Sequence, residues 1–165
     1  MKISIFLILL LTSSVSNAQF SKGNQIWGLR DLGIGYSSVK GWLFSTALTY
    51  QFFLIDNFSI GASSFYTNAL PKTDDINFFG GGPSASYYFK LTETWFSSFD
   101  QDLALSKYNG SKNNVTSFYG TSGASLNHIF NSGISLGIFY KKSYALDKKE
   151  VLRGEIVGLG INVFR

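Results

Sequence analysis

From Trp42 to Phe52 the chain alternates. Trp42, Phe44, Thr46, Leu48, Tyr50 and Phe52 fall on one face of an extended strand, and Ser45, Ala47, Thr49 and Gln51 on the other, because successive strand side chains point to opposite sides. Neither face carries a charge. The period of two argues for a strand rather than a helix. At a rise of about 3.3 Å per residue and a tilt near 40°, such a run covers roughly 25 Å of height. One face therefore needs an apolar environment about that tall. The other needs a space that suits small polar side chains.

The unit recurs. Without gaps, residues 45–61 (STALTYQFFLIDNFSIG) lie over residues 121–137 (TSGASLNHIFNSGISLG) and over residues 82–98 (GPSASYYFKLTETWFSS). Each copy holds a small-residue run, an aromatic or apolar cluster, a short polar turn and a second alternating run, which is a repeated hairpin. The turns are Ile55-Asp56-Asn57, Thr92-Glu93-Thr94 and Asn131-Ser132-Gly133. Longer polar connections separate them at 37–41, 71–77, 107–114 and 143–150. Asn109-Gly110, and Pro71 with Asp74-Asp75, supply turn chemistry there. Strict alternation of short and long connections predicts eight antiparallel strands, near 25–36, 42–53, 58–70, 78–90, 95–106, 115–129, 134–142 and 151–164.

The other strands repeat the two faces. Phe58, Ile60, Ala62 and Tyr66 oppose Ser59, Gly61, Ser63 and Thr67; Trp95, Phe99, Leu103 and Leu105 oppose Ser98, Asp100 and Asp102; Ile134, Leu136, Ile138 and Tyr140 oppose Ser135, Gly137 and Lys141; and Val157, Leu159, Ile161 and Val163 oppose Gly158, Gly160 and Asn162. A soluble eight-stranded barrel of the lipocalin kind would turn its polar face to water and fill it with Lys and Glu. This polar face is Gly, Ser, Thr and Asn with few charges, which suits a narrow lumen with the apolar face against lipid. The whole chain is 17% aromatic but only 15% charged, well below the roughly 25% charged residues of an average soluble domain. The predicted fold is thus an all-β, eight-stranded antiparallel up-and-down transmembrane β-barrel.

Aromatic placement agrees with two interfaces. Trp27, Tyr50, Phe52, Phe58, Tyr87, Phe89 and Trp95 sit near the short-turn end or the chain start, and Tyr36, Trp42, Tyr66, Tyr108, Tyr119 and Tyr140 near the long-connection end. Such rings settle at both lipid–water boundaries. Three places resist the pattern. Arg30-Asp31 falls mid-strand, so one of the pair faces lipid unless a bulge shifts the register. Pro83 removes a ladder donor inside the fourth strand, for which a bulge at Gly80-Gly81-Gly82 is expected. Residues 120–123 make a thin outward face. Phe53 falls on the lumen register beside its turn and is expected to plug that end.

At the N-terminus Lys2, the apolar run Ile3 to Leu11 and the small residues of Ser16-Asn17-Ala18 read as a secretory signal cleaved between Ala18 and Gln19. The run is too short for a spanning helix. Residues 1–18 are then the signal peptide and residues 19–165 a single barrel domain. The chain has no cysteine, which removes disulfides, thiolate metal sites, a cysteine nucleophile and a lipid-anchored cysteine. Its Lys and Arg are scattered, which gives no clustered basic stripe for nucleic acid.

The run Gly82-Pro83-Ser84-Ala85-Ser86-Tyr87-Tyr88-Phe89, the turn Ile55-Asp56-Asn57-Phe58 and the early Lys22-Gly23-Asn24 resemble the small outer-membrane β-barrel domain family of Gram-negative bacteria, often labelled porin-like. The resemblance covers residues 19–165. It implies periplasmic short turns, extracellular long loops, outer-membrane lipid as surroundings and insertion by the outer-membrane assembly machinery. The end Gly158-Leu159-Gly160-Ile161-Asn162-Val163-Phe164-Arg165 resembles the C-terminal strand signal of that machinery, with its aromatic penultimate rather than last.

Candidates for chemistry are few. His128 is the only histidine. It falls on the lipid-facing register near a short turn, while Asp100 and Asp102 fall on the lumen register, so a base and its partners do not converge. Asp100 and Asp102 are expected to neutralise lumen cations such as Lys141, Lys90 or Arg30, because a buried charge must be paired or solvated. With Gln51, residues Lys90, Asp100, Asp102 and Lys141 form the expected lumen polar network. No cofactor or metal is expected. The expected role is non-catalytic, in envelope structure or surface contact, as a monomer with an unidentified ligand on the long loops if any. The alternatives are a narrow channel or small-solute binder, a lipid-modifying barrel enzyme, and a soluble lipocalin-like carrier.

Overall fold

The computed structural model describes residues 20–37, 41–70, 77–109, 114–130, 133–147 and 154–165. The signal segment, the cleavage pair Ala18 and Gln19, and most of the long connections lie outside them. The described residues form eight strands: β1 (Gln25–Ser37), β2 (Gly41–Ile55), β3 (Phe58–Leu70), β4 (Asn77–Lys90), β5 (Trp95–Asn109), β6 (Asn114–Ile129), β7 (Ile134–Ala145) and β8 (Gly154–Phe164). Each pairs antiparallel with its neighbours, and β1 pairs with β8, so the sheet closes in sequence order. Closure leaves no edge strand. β5 and β7 run three residues beyond the alternation-based expectation.

The barrel is inverted relative to a water-soluble one. Trp27, Leu48, Phe79, Ile138 and Val157 each expose more than half of their surface on the outside. Ser59, Ser86, Thr49, Gln51, Asp100, Asp102 and Lys141 are buried inside. A bilayer supplies the missing partner for such an exterior, and strands satisfy their own backbone groups there only in a closed barrel.

Local chemistry fixes the turns and irregularities. Asn57 closes the β2–β3 turn at φ +64°, a left-handed conformation that Asn tolerates better than most residues. In β1, Arg30 is the extra residue between the pairs Leu29–Leu48 and Asp31–Ala47. Against β8 the same place sets two residues of β1 opposite one of β8, between Leu29–Ile161 and Leu32–Leu159. This bulge restores the outward register of Leu32, Ile34 and Tyr36. Pro83 is accommodated differently from expectation. The β3–β4 register runs without a shift through Ala62–Pro83 and Ser63–Gly82. Toward β5 the ladder skips Gly82 and Pro83 with its register unchanged. Beside Pro83, Gly82 brings its backbone against the Leu103 carbonyl, where a Cβ would collide.

Candidate functional site

Among the described residues the interior is the lumen, and it is built in three layers. At the short-turn end, Ile26, Phe53, Tyr88, Phe96, Ile129 and Phe164 converge with Phe20. Phe53 stands where strand alternation puts it. Phe20 precedes β1, and its ring stacks on Tyr88 at 5.2 Å between centroids and meets Phe96 edge-on at 5.0 Å. Its seat is fixed by the backbone: Asn57 N donates to the Phe20 carbonyl (2.8 Å) and Gly23 N to the Phe53 carbonyl (2.9 Å). Lys22 N donates to Asp56 Oδ1 (2.9 Å).

The middle layer is polar. Gln51 Nε2 donates to Ser84 Oγ (2.7 Å) and Ser86 Oγ (3.0 Å). Its Oε1 accepts from Ser59 Oγ (2.8 Å) and the Tyr88 hydroxyl (3.2 Å). One side chain from β2 thus ties β3 and β4 together across the lumen. Opposite it, Lys141 Nζ lies 3.5 Å from Asp102 Oδ2 with both side chains nearly sealed from solvent. Ser98 donates to Asp100 Oδ2 (3.2 Å), and Asn127 Nδ2 donates to Ser125 Oγ (2.5 Å). Phe139 also points inward, and its ring lies across the paired Gly33 and Gly158, where a Cβ on either glycine would collide with it. The alternation pattern alone gives no hint that these glycines make room for a ring.

At the long-connection end, Leu43, Phe78, Ala104 and Tyr119 close the lumen, with Phe65 against Tyr119 at 5.3 Å. Between the two apolar layers lie cavities of about 10 Å³ and about 40 Å³, and Lys141 lines both. The first is the size of about one water and the second of a few.

Of the expected network, Lys141 pairs with Asp102 and shares a cavity wall with Asp100, Gln51 forms a separate cluster with Ser59, Ser84, Ser86 and Tyr88, and Lys90 stands apart from both. Lys90 keeps the inward register yet is the last residue of β4 and is exposed, below the apolar layer that separates it from the buried charges. The side chain of Arg30 lies outside the described residues.

Of the aromatic belts, Trp27, Tyr36, Trp42, Tyr50, Phe52, Tyr66, Tyr87, Phe89, Trp95 and Tyr140 are exposed on the outer face. Phe58 is half-buried there. Tyr119 is a correction: it is 4% exposed and points into the lumen. Its pairing with Ala104, between the outward Leu103 and Leu105, fixes that parity. The side chain of Tyr108 lies outside the described residues. On the thin outward face of β6, Gly120 is covered by the ring of Tyr144 from β7. Gln101 Nε2 donates to the Tyr144 hydroxyl and Ser122 Oγ to Gln101 Oε1, both at 2.6 Å.

His128 faces outward, packed between Trp95 (4.8 Å) and Phe130 (4.9 Å). Neither ring nitrogen has a hydrogen-bond partner. Asp100 and Asp102 open to the other side of the wall, so among the described residues no base, nucleophile and acid meet around it. Among the described residues there is no group of three or more His, Asp or Glu side chains placed to hold a metal ion.

No family model matches the chain and no curated protein matches it. Solved structures do. Neisserial surface protein A superposes with a TM-score of 0.66 at 15% identity, over 85% of this chain and 94% of that one. The N-terminal β-barrel domain of OprF from Pseudomonas aeruginosa gives 0.60 at 15% identity, over 87% and 98%. The Yersinia pestis outer membrane protein Ail, in a phospholipid bilayer nanodisc, gives 0.51 at 15% identity, over 87% and 100%. The fold is that of the eight-stranded outer-membrane barrels.

Proposed function

We propose that this chain is an integral protein of the bacterial outer membrane, closed to solute flow and without catalysis, that serves envelope structure or surface contact. The membrane assignment is supported by the apolar exterior and by its likeness in fold to barrels of that membrane. The observation that carries the closed reading is the filled lumen: among the described residues, apolar layers at both ends and cavities of about 10 and 40 Å³ between them. Eight strands enclose just enough room for side chains. The separation of His128 from the carboxylates supports the non-catalytic reading. With the lumen shut, contact with other molecules falls to the lipid-facing wall and the long loops, and insertion to the outer-membrane assembly machinery.

The test is single-channel recording of the purified protein in a planar lipid bilayer. Currents no different from the protein-free membrane are expected. Discrete, reproducible openings that respond to Lys141→Ala would overturn the closed reading in favour of a narrow channel.

A further inference from the structure

The outer wall is not equally apolar all round. On β2, β3 and β4 no described outward side chain carries a charge, and β2 presents Trp42, Phe44, Leu48, Tyr50, Phe52 and Leu54. On β5 the first outward charge above the short-turn end is Lys107, twelve residues above Trp95. On β7 and β8 it comes sooner. Lys142 lies eight residues above Ile134, and Glu155 eight above Val163. At a strand rise of about 3.4 Å and a tilt near 40°, the uncharged wall is roughly 30 Å tall at β5 but only roughly 20 Å at β7 and β8.

The short side is also organised. Gln101, Ser122, Lys142, Glu155 and Tyr36 are successive pairing partners from β5 through β6, β7 and β8 to β1. Gln101, Ser122, Lys142 and Glu155 are all polar and Tyr36 ends in a hydroxyl, so one rung of the outer wall is hydrophilic throughout. Because rungs run perpendicular to tilted strands, this one climbs as a ramp from mid-wall at Gln101. Lys142 Nζ and Glu155 Oε1 pair at 3.2 Å, with 57% and 53% of their side chains exposed. An exposed ion pair facing hydrocarbon is costly, and long charged side chains there are found where headgroups and water reach them. A wall shorter than the bilayer is accommodated by thinning of the bilayer beside it.

We propose that the β7–β8 wall holds outer-leaflet lipid headgroups, with their water, below the plane those headgroups keep around β2–β5. The partner is the polar headgroup layer of the membrane itself, drawn down onto Lys142 and Glu155. The consequence is a barrel ringed by a bilayer that is thin on one side.

The absence of cysteine makes the test direct. Single substitutions Val157→Cys and Leu105→Cys are spin-labelled, and the protein is folded into dioleoylphosphatidylcholine vesicles. Depth is read from relaxation by oxygen and by a water-soluble nickel chelate. Val157 lies six residues above Val163 and Leu105 ten above Trp95, so by strand count Val157 is roughly 10 Å further from the outer surface. The proposal predicts that the two labels report depths within about half that distance, and that Lys142→Leu with Glu155→Leu sends the Val157 label deeper. A Val157 label deeper by the full strand-count difference, unmoved by the double substitution, overturns it. If the double variant does not fold, the comparison of the two labels in the otherwise unchanged chain decides alone. The inference rests on the membrane reading, whose own failure would look different: both labels open to the chelate.

Discussion

Replacing Gln51 by Leu tests whether the lumen network holds the barrel together. The substitution keeps the volume nearly constant and removes only polar atoms. Gln51 makes four hydrogen bonds, to Ser84, Ser86, Ser59 and Tyr88, at 2.7 to 3.2 Å. Net contributions of about 0.5–1.5 kcal/mol each would give roughly 2–6 kcal/mol. Ser84 and Ser86 keep other interactions, while the hydroxyls of Ser59 and Tyr88 lose the acceptor shown for them. The expected loss is therefore about 3 kcal/mol, in the lower half of that range. The assay is equilibrium urea unfolding in detergent micelles, followed by tryptophan emission and by the mobility difference between folded and unfolded protein on an unheated gel. Phe52→Leu, one residue away but on the lipid face, is the control and should cost well under half as much. A loss below about 1 kcal/mol for Gln51→Leu, or equal losses for the two variants, would refute the idea that inward hydrogen bonds rather than outward packing set this part of the stability.

Other outcomes follow from the same layers. Lys141→Met takes the Lys141 ammonium away from the buried Asp102 carboxylate and should cost roughly 3–5 kcal/mol; adding Asp102→Asn should recover part of that in the same urea titration. Tyr119→Ala opens a cavity in the upper apolar layer and is expected to cost about 3–5 kcal/mol, whereas Tyr36→Ala, a belt position, should cost far less; similar costs for the two would contradict the inward placement. Phe20→Ala should destabilise by about 3 kcal/mol and speed hydrogen exchange at the Asn57 and Gly23 amides, which donate around the Phe20 seat; unchanged protection there would show that the segment before β1 does not close the lumen.

Much of the fold was legible because two physical requirements act on every strand. One face had to be apolar for lipid, the other small and polar for a narrow interior, and the period of two reports both. That is why the β2 faces, the inward Phe53 and the Asp102–Lys141 side of the lumen follow from residue order alone. What alternation cannot report is parity where a strand lacks a strong outward face. β6 carries Gly120, Ser122 and Ala124 on its outside, so Tyr119 read as a belt residue until its pairing with Ala104 fixed it inward. Lys90 had the right parity but the wrong height, because parity says nothing of where an apolar layer ends the lumen. Phe20 precedes every strand, so periodicity could not place it; only the tertiary contacts of its ring and carbonyl do. The pairing of Gly33 and Gly158 beneath Phe139 is a contact between elements far apart in sequence, and no local pattern announces it.

The exterior faces lipid and the chain is a closed barrel. Envelope fractionation followed by electrophoresis of unheated and boiled samples measures both together. The protein should be recovered with the outer membrane, need detergent for extraction, and migrate as a compact species that shifts on boiling. Recovery in the soluble fraction without detergent, with no shift on boiling, would contradict both.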